Sequence, residues 1–184
     1  MNENKEIEAE FPEELIEENK EPPEPKIFES LYRRVMHMSV GEKIKLATTG
    51  NKEARNILLK DANRLILSAV INSPKMTEEE IIKICQSRNV SDEALRLISV
   101  RKELMKNYHV KLGLVSNPKT PVPIALKLLH YIAEGDLRNI AKSKNISSVV
   151  SRGARKVLED RGKLSPWKNS RREFSTPVTR LTGG

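Results

Sequence analysis

The sequence offers almost nothing to cross-link or to stack. One cysteine, Cys85, stands among 184 residues, so an internal disulfide is excluded and nothing signals an oxidising compartment. Aromatic residues make up only 4%, so any core must be aliphatic, built from Leu, Ile, Val, Ala and Met. No stretch reaches about 18 consecutive apolar residues, which excludes a membrane-spanning helix. The opening MNENKEIEAE lacks the cationic and apolar regions of a secretory signal. These absences predict a soluble, cytoplasmic protein.

The signatures of catalysis are equally sparse. There is no Gly-x-Gly-x-x-Gly, Walker loop or Gly-x-Ser-x-Gly. The histidines His37, His109 and His130 have no metal-ligand spacing to one another or to Cys85. Acidic runs such as Glu78-Glu79-Glu80 and Asp92-Glu93 fall where first helical turns are expected, and there the helix dipole favours them. The expectation is a protein that is not an enzyme, with no catalytic, cofactor-binding or metal-binding residues and no cofactor.

What the chain does have is charge, 32% of residues, unevenly spread. Residues 1–26 hold ten Glu and three Lys, a net charge of −7, together with Pro12, Pro22, Pro23 and Pro25. The rest of the chain carries +15 of the overall +8. Too little apolar surface in 1–26 offsets the entropy of ordering, so this stretch is expected to be an acidic disordered arm. Residues 161–184 hold six Lys or Arg and one Glu without apolar periodicity, a basic and flexible tail. Between them, residues 27–160 are the expected folded domain.

That middle region repeats a pattern. Ser73-Pro-Lys-Met-Thr77, Ser87-Arg-Asn-Val-Ser91, Ser116-Asn-Pro-Lys-Thr120 and Ser143-Lys-Asn-Ile-Ser147 share a Ser-x-x-x-Ser/Thr break. Six residues before each break stand Leu67, Ile81, Val110 and Leu137. Three before stand Val70, Ile84, Gly113 and Ile140; two before stand Ile71, Cys85, Leu114 and Ala141. A weaker copy centres on Gly50, with Ile44 and Ala47 in the matching places. Each unit is an apolar stripe at helical spacing, a polar turn, and a hydroxyl N-cap for the next helix.

Thr77, Ser91, Thr120 and Ser147 are the expected caps, Thr77 completing a capping box with Glu80 and Thr120 preceding Pro121 as first helical residue. Asn89, Asn117 and Asn145 suit turn or left-handed backbone. Helices are expected at about 28–38, 40–49, 52–60, 62–72, 77–87, 91–105, 108–115, 121–132, 134–143 and 147–160, with no strands. The first, with Phe28, Leu31, Tyr32 and Val35 on one face, would cover an end of the stack.

Segments such as GEKIKLATTGNKEARNILLKD, VINSPKMTEEEIIKICQSRN, NYHVKLGLVSNPKTPVPIALKLL and DLRNIAKSKNISS resemble a group of small bacterial proteins with no assigned activity. Their Asn-Pro-x-Thr-Pro breaks are similar to those of leucine-rich-repeat-variant and HEAT-like helical repeats. The resemblance covers roughly residues 38–160. It implies an all-α fold, an irregular HEAT-like helical repeat forming a short α-solenoid, and no catalytic set. The breaks are spaced 23, 14, 29 and 27 residues apart, a departure from strict periodicity. Helical-repeat DNA glycosylases share only the positive charge and the repeats; their chemistry needs stacking aromatics, and Trp167 lies alone in the tail.

Each break carries a cation: Lys52, Lys75, Arg88, Lys119 and Lys144. Lined up along one edge, these five would form a basic ridge for an anionic partner, although solvated charge on turns is the ordinary reading. The expected function is a scaffold or adaptor binding a protein partner with an acidic surface or segment through this edge. The alternative is a nucleic-acid-binding module contacting the phosphate backbone through the same cations, because aromatics for base stacking are few.

Overall fold

The computed structural model describes residues 11–18 and 24–162. Among these there are eleven α-helices, two short 3-10 turns and no strand. The helices are α1 (Glu13–Ile16), α2 (Pro25–Met36), α3 (Val40–Thr49), α4 (Lys52–Leu58), α5 (Arg64–Ile71) and α6 (Glu78–Gln86). They continue with α7 (Asp92–Val100), α8 (Tyr108–Ser116), α9 (Val122–Leu128), α10 (Glu134–Lys142) and α11 (Ser148–Asp160). The 3-10 turns, Leu104–Lys106 and Leu129–Tyr131, close the stretches after α7 and α9.

The apolar columns of the sequence are the core. Leu67, Ile81, Val110 and Leu137 are all buried, as are Val70, Ile84 and Ile140, and Ile71, Cys85, Leu114 and Ala141. Burial of such aliphatic side chains is the main stabilising term, worth about 1.5–3 kcal/mol for each. Gly113 falls in a column because α8 meets α6 there: a Cβ on Gly113 would lie 2.8 Å from Cβ of Cys85.

Helices pack on the next but one as well as on the next. α3 lies on α5 and α5 on α7; α6 lies on α8 and α9 on α11. The polar contacts fix directions. Asn107, which caps α8, donates from Nδ2 to Glu78 at the start of α6, and Asn117, just past the end of α8, donates to the carbonyl of Ser87, just past α6. The two helices are therefore parallel. Tyr108 Oη donates to Asp136 at the start of α10, which links the first turns of α8 and α10 through one side chain. The core falls into two clusters, one drawn from residues 11–114 and one from 115–158, with Leu128 packed against both.

The caps follow the sequence in part. Thr77 and Glu80 form the expected capping box, and Ser91 Oγ accepts the N–H of Ala94. Ser39 and Glu42 form a second box; the Ser39 side-chain bond, then its backbone bond, hold the Glu42 carboxyl below its usual range. Thr120 is a correction. The N-cap position of α9 is Pro121, the helix starts at Val122, and Thr120 Oγ1 is buried without a hydrogen-bond partner. Pro121 takes an extended ψ of 129° and lets the chain enter the helix one residue later than the expected start. Ser147 holds the cap position of α11 but makes no side-chain cap bond; the N–H of Ser151 goes to its carbonyl instead.

The breaks use no left-handed asparagine. Gly162 has the only positive φ among the described residues, 66°. In two breaks the first Ser closes the turn instead: Ser87 Oγ accepts from the N–H of Asn89, and Ser143 Oγ from that of Asn145; in the Ser116 break Asn117 Oδ1 accepts from the N–H of Lys119, and Ser73 Oγ is buried without a partner.

The expectation of a disordered arm over 1–26 is corrected for residues 11–18. Phe11 and Leu15 are buried, the latter completely, and α1 packs on α4. Two large apolar side chains four residues apart suffice to dock one helical turn, and the surrounding glutamates stay at the surface. Residues 1–10 and 19–23 of that arm, and 163–184 of the expected basic tail, lie outside the described residues. α2 starts earlier than expected, with Pro25 in its first turn, and buries Leu31 and Val35. Phe28 and Tyr32 pack against the core's rim, with Lys60 Nζ 5.0 and 5.2 Å from their ring centroids.

Candidate binding surface

A helix ends in carbonyls without partners. Here many of those ends are met by a donor side chain from about thirty residues downstream. Asn51 Nδ2 donates to the carbonyls of Glu14 and Glu17 at 2.7 and 2.5 Å, closing α1. Lys75 Nζ donates to Thr49 O at 2.7 Å, closing α3. Arg101 reaches Ile71 O and Asn72 Oδ1 at the end of α5. Asn117 Nδ2 donates to Cys85 O and Ser87 O, each at 2.8 Å, closing α6. Arg161 donates to His130 O and Ile132 O at 2.6 and 2.9 Å, after α9. Arg155 closes α10 from nearer by, 3.0 Å from Ala141 O. Part of the positive charge is thus committed to helix ends, where the dipole also favours it.

Other charges are used inside. Arg55, 2% exposed, grips Glu80 through Nη2 at 2.9 and 3.0 Å and donates from Nη1 to Gly50 O at 3.0 Å. Lys43 Nζ lies 2.9 Å from Asp61 Oδ2. Burial opposes ionisation of Asp61, but the bond from Lys43, the Asn63 N–H and the ammonium charge outweigh it and hold the carboxyl below its usual range. Tyr108 Oη accepts the N–H of Ala133 at 3.1 Å and donates to Asp136, so it supplies the cap that α10 lacks in its own sequence. Burial first, and then the bond to Asp136, raise the Tyr108 hydroxyl above its ordinary value.

All five cations of the expected ridge are exposed. They do not lie on one edge. Lys52 follows the α3–α4 turn and Lys75 lies in the α5–α6 turn; both line one shallow depression of about 180 Å³, with Lys83 and the acidic Glu18 and Glu79. Arg88, after α6, borders a second depression with Ser116, Asn117 and Pro118, the turn that carries Lys119. Lys144 follows α10, which has the same nine-residue length as α8. The physical reason is chain reversal. Steps of two helices return to the same end of the stack, whereas the 14-residue step from Ser73 to Ser87 crosses one helix and changes ends.

The two ends differ in character. At the Lys52 end, Glu18 and Glu79 line the same depression and Lys75 is spent on Thr49 O. At the other end, among the described residues, the side chains of Arg88, Lys119 and Lys144 have no ion-pair or hydrogen-bond partner. Sequence reading missed Arg55, Asn51, Asn117 and Tyr108 as structural donors. The available signal was an asparagine recurring in the break, at Asn51 and Asn117.

Cys85 is fully buried, and burial pushes its thiol up to about 12. His37, His109 and His130 are exposed. Among the described residues no group of three or more His, Cys, Asp or Glu could hold a metal ion, and no helix is long and apolar enough to cross a membrane. No family model matches the chain, and no curated protein or solved structure shows significant similarity to it.

Proposed function

We propose that the chain is a non-enzymatic scaffold or adaptor, an irregular HEAT-like helical repeat that binds an acidic protein segment along one edge of its turns. One observation carries this reading. Three helices of nine residues each, α6, α8 and α10, are each followed within three residues by an exposed cation, Arg88, Lys119 and Lys144, and α6 and α8 are parallel and in contact. The next-but-one packing of helices supports the repeat, and stacked helices present extended surfaces of this kind. Lys52 and Lys75, at the opposite end, are left out of the contact surface proper.

The second reading is a nucleic-acid-binding module that contacts phosphates through the same edge, favoured by the +15 charge beyond residue 26. Fluorescence anisotropy of the full chain with labelled polyglutamate and with random duplex DNA separates the two. Polyglutamate should bind at about 50 mM salt, and Arg88→Glu with Lys119→Glu and Lys144→Glu should remove the binding. Duplex binding with a steep negative salt slope, and none of polyglutamate, would replace the first reading by the second.

A further inference from the structure

Helix packing is uneven along the stack. α3 rests on α5 and α6 on α8, but α4 and α6 do not pack in this way; the Arg55–Glu80 pair bridges their first turns instead. Two depressions open between them, and Lys83 of α6 lines both. The one at their first turns holds Lys52 and Lys75 together with Glu18 and Glu79.

The one at their last turns is larger, about 300 Å³, and different in character. Its floor is apolar. Leu59, Ile84 and Val90 each keep 6% exposure there, whereas their neighbours Leu58 and Cys85 have none, and Phe28 of α2 stands half-buried beside them. Its charged lining is cationic on balance, Lys60 and Lys83 against the one carboxylate of Glu53. Lys60 Nζ lies 5.0 Å from the Phe28 ring centroid, which places an ammonium group at the mouth. Lys83 and the side-chain amides of Asn56 and Asn89 have no partner among the described residues.

This depression is continuous with the edge of the turns. The break after α6 supplies Ser87, Asn89 and Val90 to its lining, and Arg88, in the same break, borders the next depression at Ser116, Asn117 and Pro118. Arg88 thus stands between an apolar floor and the turn that carries Lys119. Exposed ion pairs are weak and screened by salt, so cations alone select poorly among acidic segments. Apolar side chains seated in desolvated pockets carry far more of the energy of a protein interface. A volume at the bottom of the roughly 300–1,000 Å³ range of small-molecule sites fits one large side chain better than a cofactor.

We propose that the depression between α4 and α6 is an anchor pocket: it takes one large apolar side chain from the acidic segment of a partner protein, whose flanking carboxylates meet Lys60, Lys83 and Arg88. The proposal rests on the reading of this edge as a site for acidic protein, and it names the residue by which that site chooses its partner.

The test measures fluorescence anisotropy of two labelled nine-residue peptides on the full-length protein, at about 50 and about 150 mM salt. Each has eight Glu around one central residue, Leu in one and Ala in the other. The Leu peptide should bind about tenfold more tightly, and its advantage should survive the higher salt. Asn56→Trp and Asn89→Trp, which crowd the depression from its two walls, should each erase the advantage of Leu and leave the Ala peptide bound as before. Lys83→Gln and Arg88→Gln should weaken both peptides. Circular dichroism checks that each variant keeps its helix content. Equal affinity for the two peptides, or an advantage of Leu that persists in both Trp variants, overturns the anchor pocket and leaves the acidic-partner reading standing. Self-association of the protein that both Trp variants abolish would put a second copy in the depression and overturn the partner named here. Failure of both peptides to bind at either salt overturns the acidic-partner reading and this inference with it.

Discussion

Arg55 Nη2 donates to both carboxylate oxygens of Glu80, joining the first turn of α4 to the first turn of α6 in the interior. The same carboxylate accepts the N–H of Thr77, so one glutamate serves as helix cap and as counter-ion. Removing charge from one partner strands the other in a low-dielectric site. Glu80→Gln should destabilise the fold by about 3–5 kcal/mol in urea melts. Replacing the pair together, as Arg55→Met with Glu80→Leu, should cost clearly less than Glu80→Gln alone, because no buried charge is then left unpaired. A double variant as unstable as the single one would refute this account.

Gly113 and Leu114 stand side by side in α8 and fail differently when changed. Leu114→Ala leaves a cavity in the larger core cluster and should cost about 2–5 kcal/mol. Gly113→Ala adds a methyl where Cβ of Cys85 already stands and should cost about 1–3 kcal/mol through overpacking. Thermal or urea melts read both. A neutral Gly113→Ala would mean that α6 and α8 are not in close backbone approach.

Asp61 makes stability depend on acid. Its folded carboxyl is held below the usual value, so its contribution is present above the unfolded pKa of about 3.9. It is lost as pH falls through the folded value. Asp61→Asn should therefore be less stable than the parent at pH 7, and the gap should narrow below about pH 4. Melts across that range measure it; a gap that stays constant would place the effect elsewhere than in the Lys43–Asp61 pair.

Two hydroxyls of the same motif position should respond in opposite senses. Ser91→Ala removes a bond to the N–H of Ala94 and should cost about 0.5–2 kcal/mol. Thr120→Val keeps the shape and removes a buried hydroxyl without a partner, so it should be neutral or mildly stabilising. A loss at Thr120→Val as large as that at Ser91→Ala would restore Thr120 as a cap.

Helix positions were legible because local chemistry writes them. The Thr77–Glu80 box, the Ser91 cap and the columns through Leu67, Ile81, Val110 and Leu137 depend on residues within one turn of each other. Which end of the stack a turn occupies is not local. Aligning the breaks put Lys75 beside Arg88, yet α6 lies between them, about 13 Å of helix. Arg55 was not legible as a buried ion-pair partner, because nothing near it in sequence reveals Glu80, 25 residues away. Phe11 and Leu15 were hidden by the glutamates around them: composition averages over a segment, whereas docking needs only two side chains. Asn117 was legible as a turn residue but not as a clip, since its acceptors on Cys85 and Ser87 belong to another helix.

The clips on helix ends also set how the chain can change length. Asn117 reaches Cys85 O and Ser87 O only because α8 ends level with α6. One residue inserted inside α8 would turn everything after it by about 100° and advance it by about 1.5 Å, carrying the Nδ2 group off both carbonyls. The same insertion would swing Lys119 out of line with Arg88. Loops between clips, such as residues 102–106 between Arg101 and Asn107, tolerate variation; the nine-residue helices act as gauges whose length is held at both ends. Homologous chains should differ in length at those loops and keep α6, α8 and α10 constant.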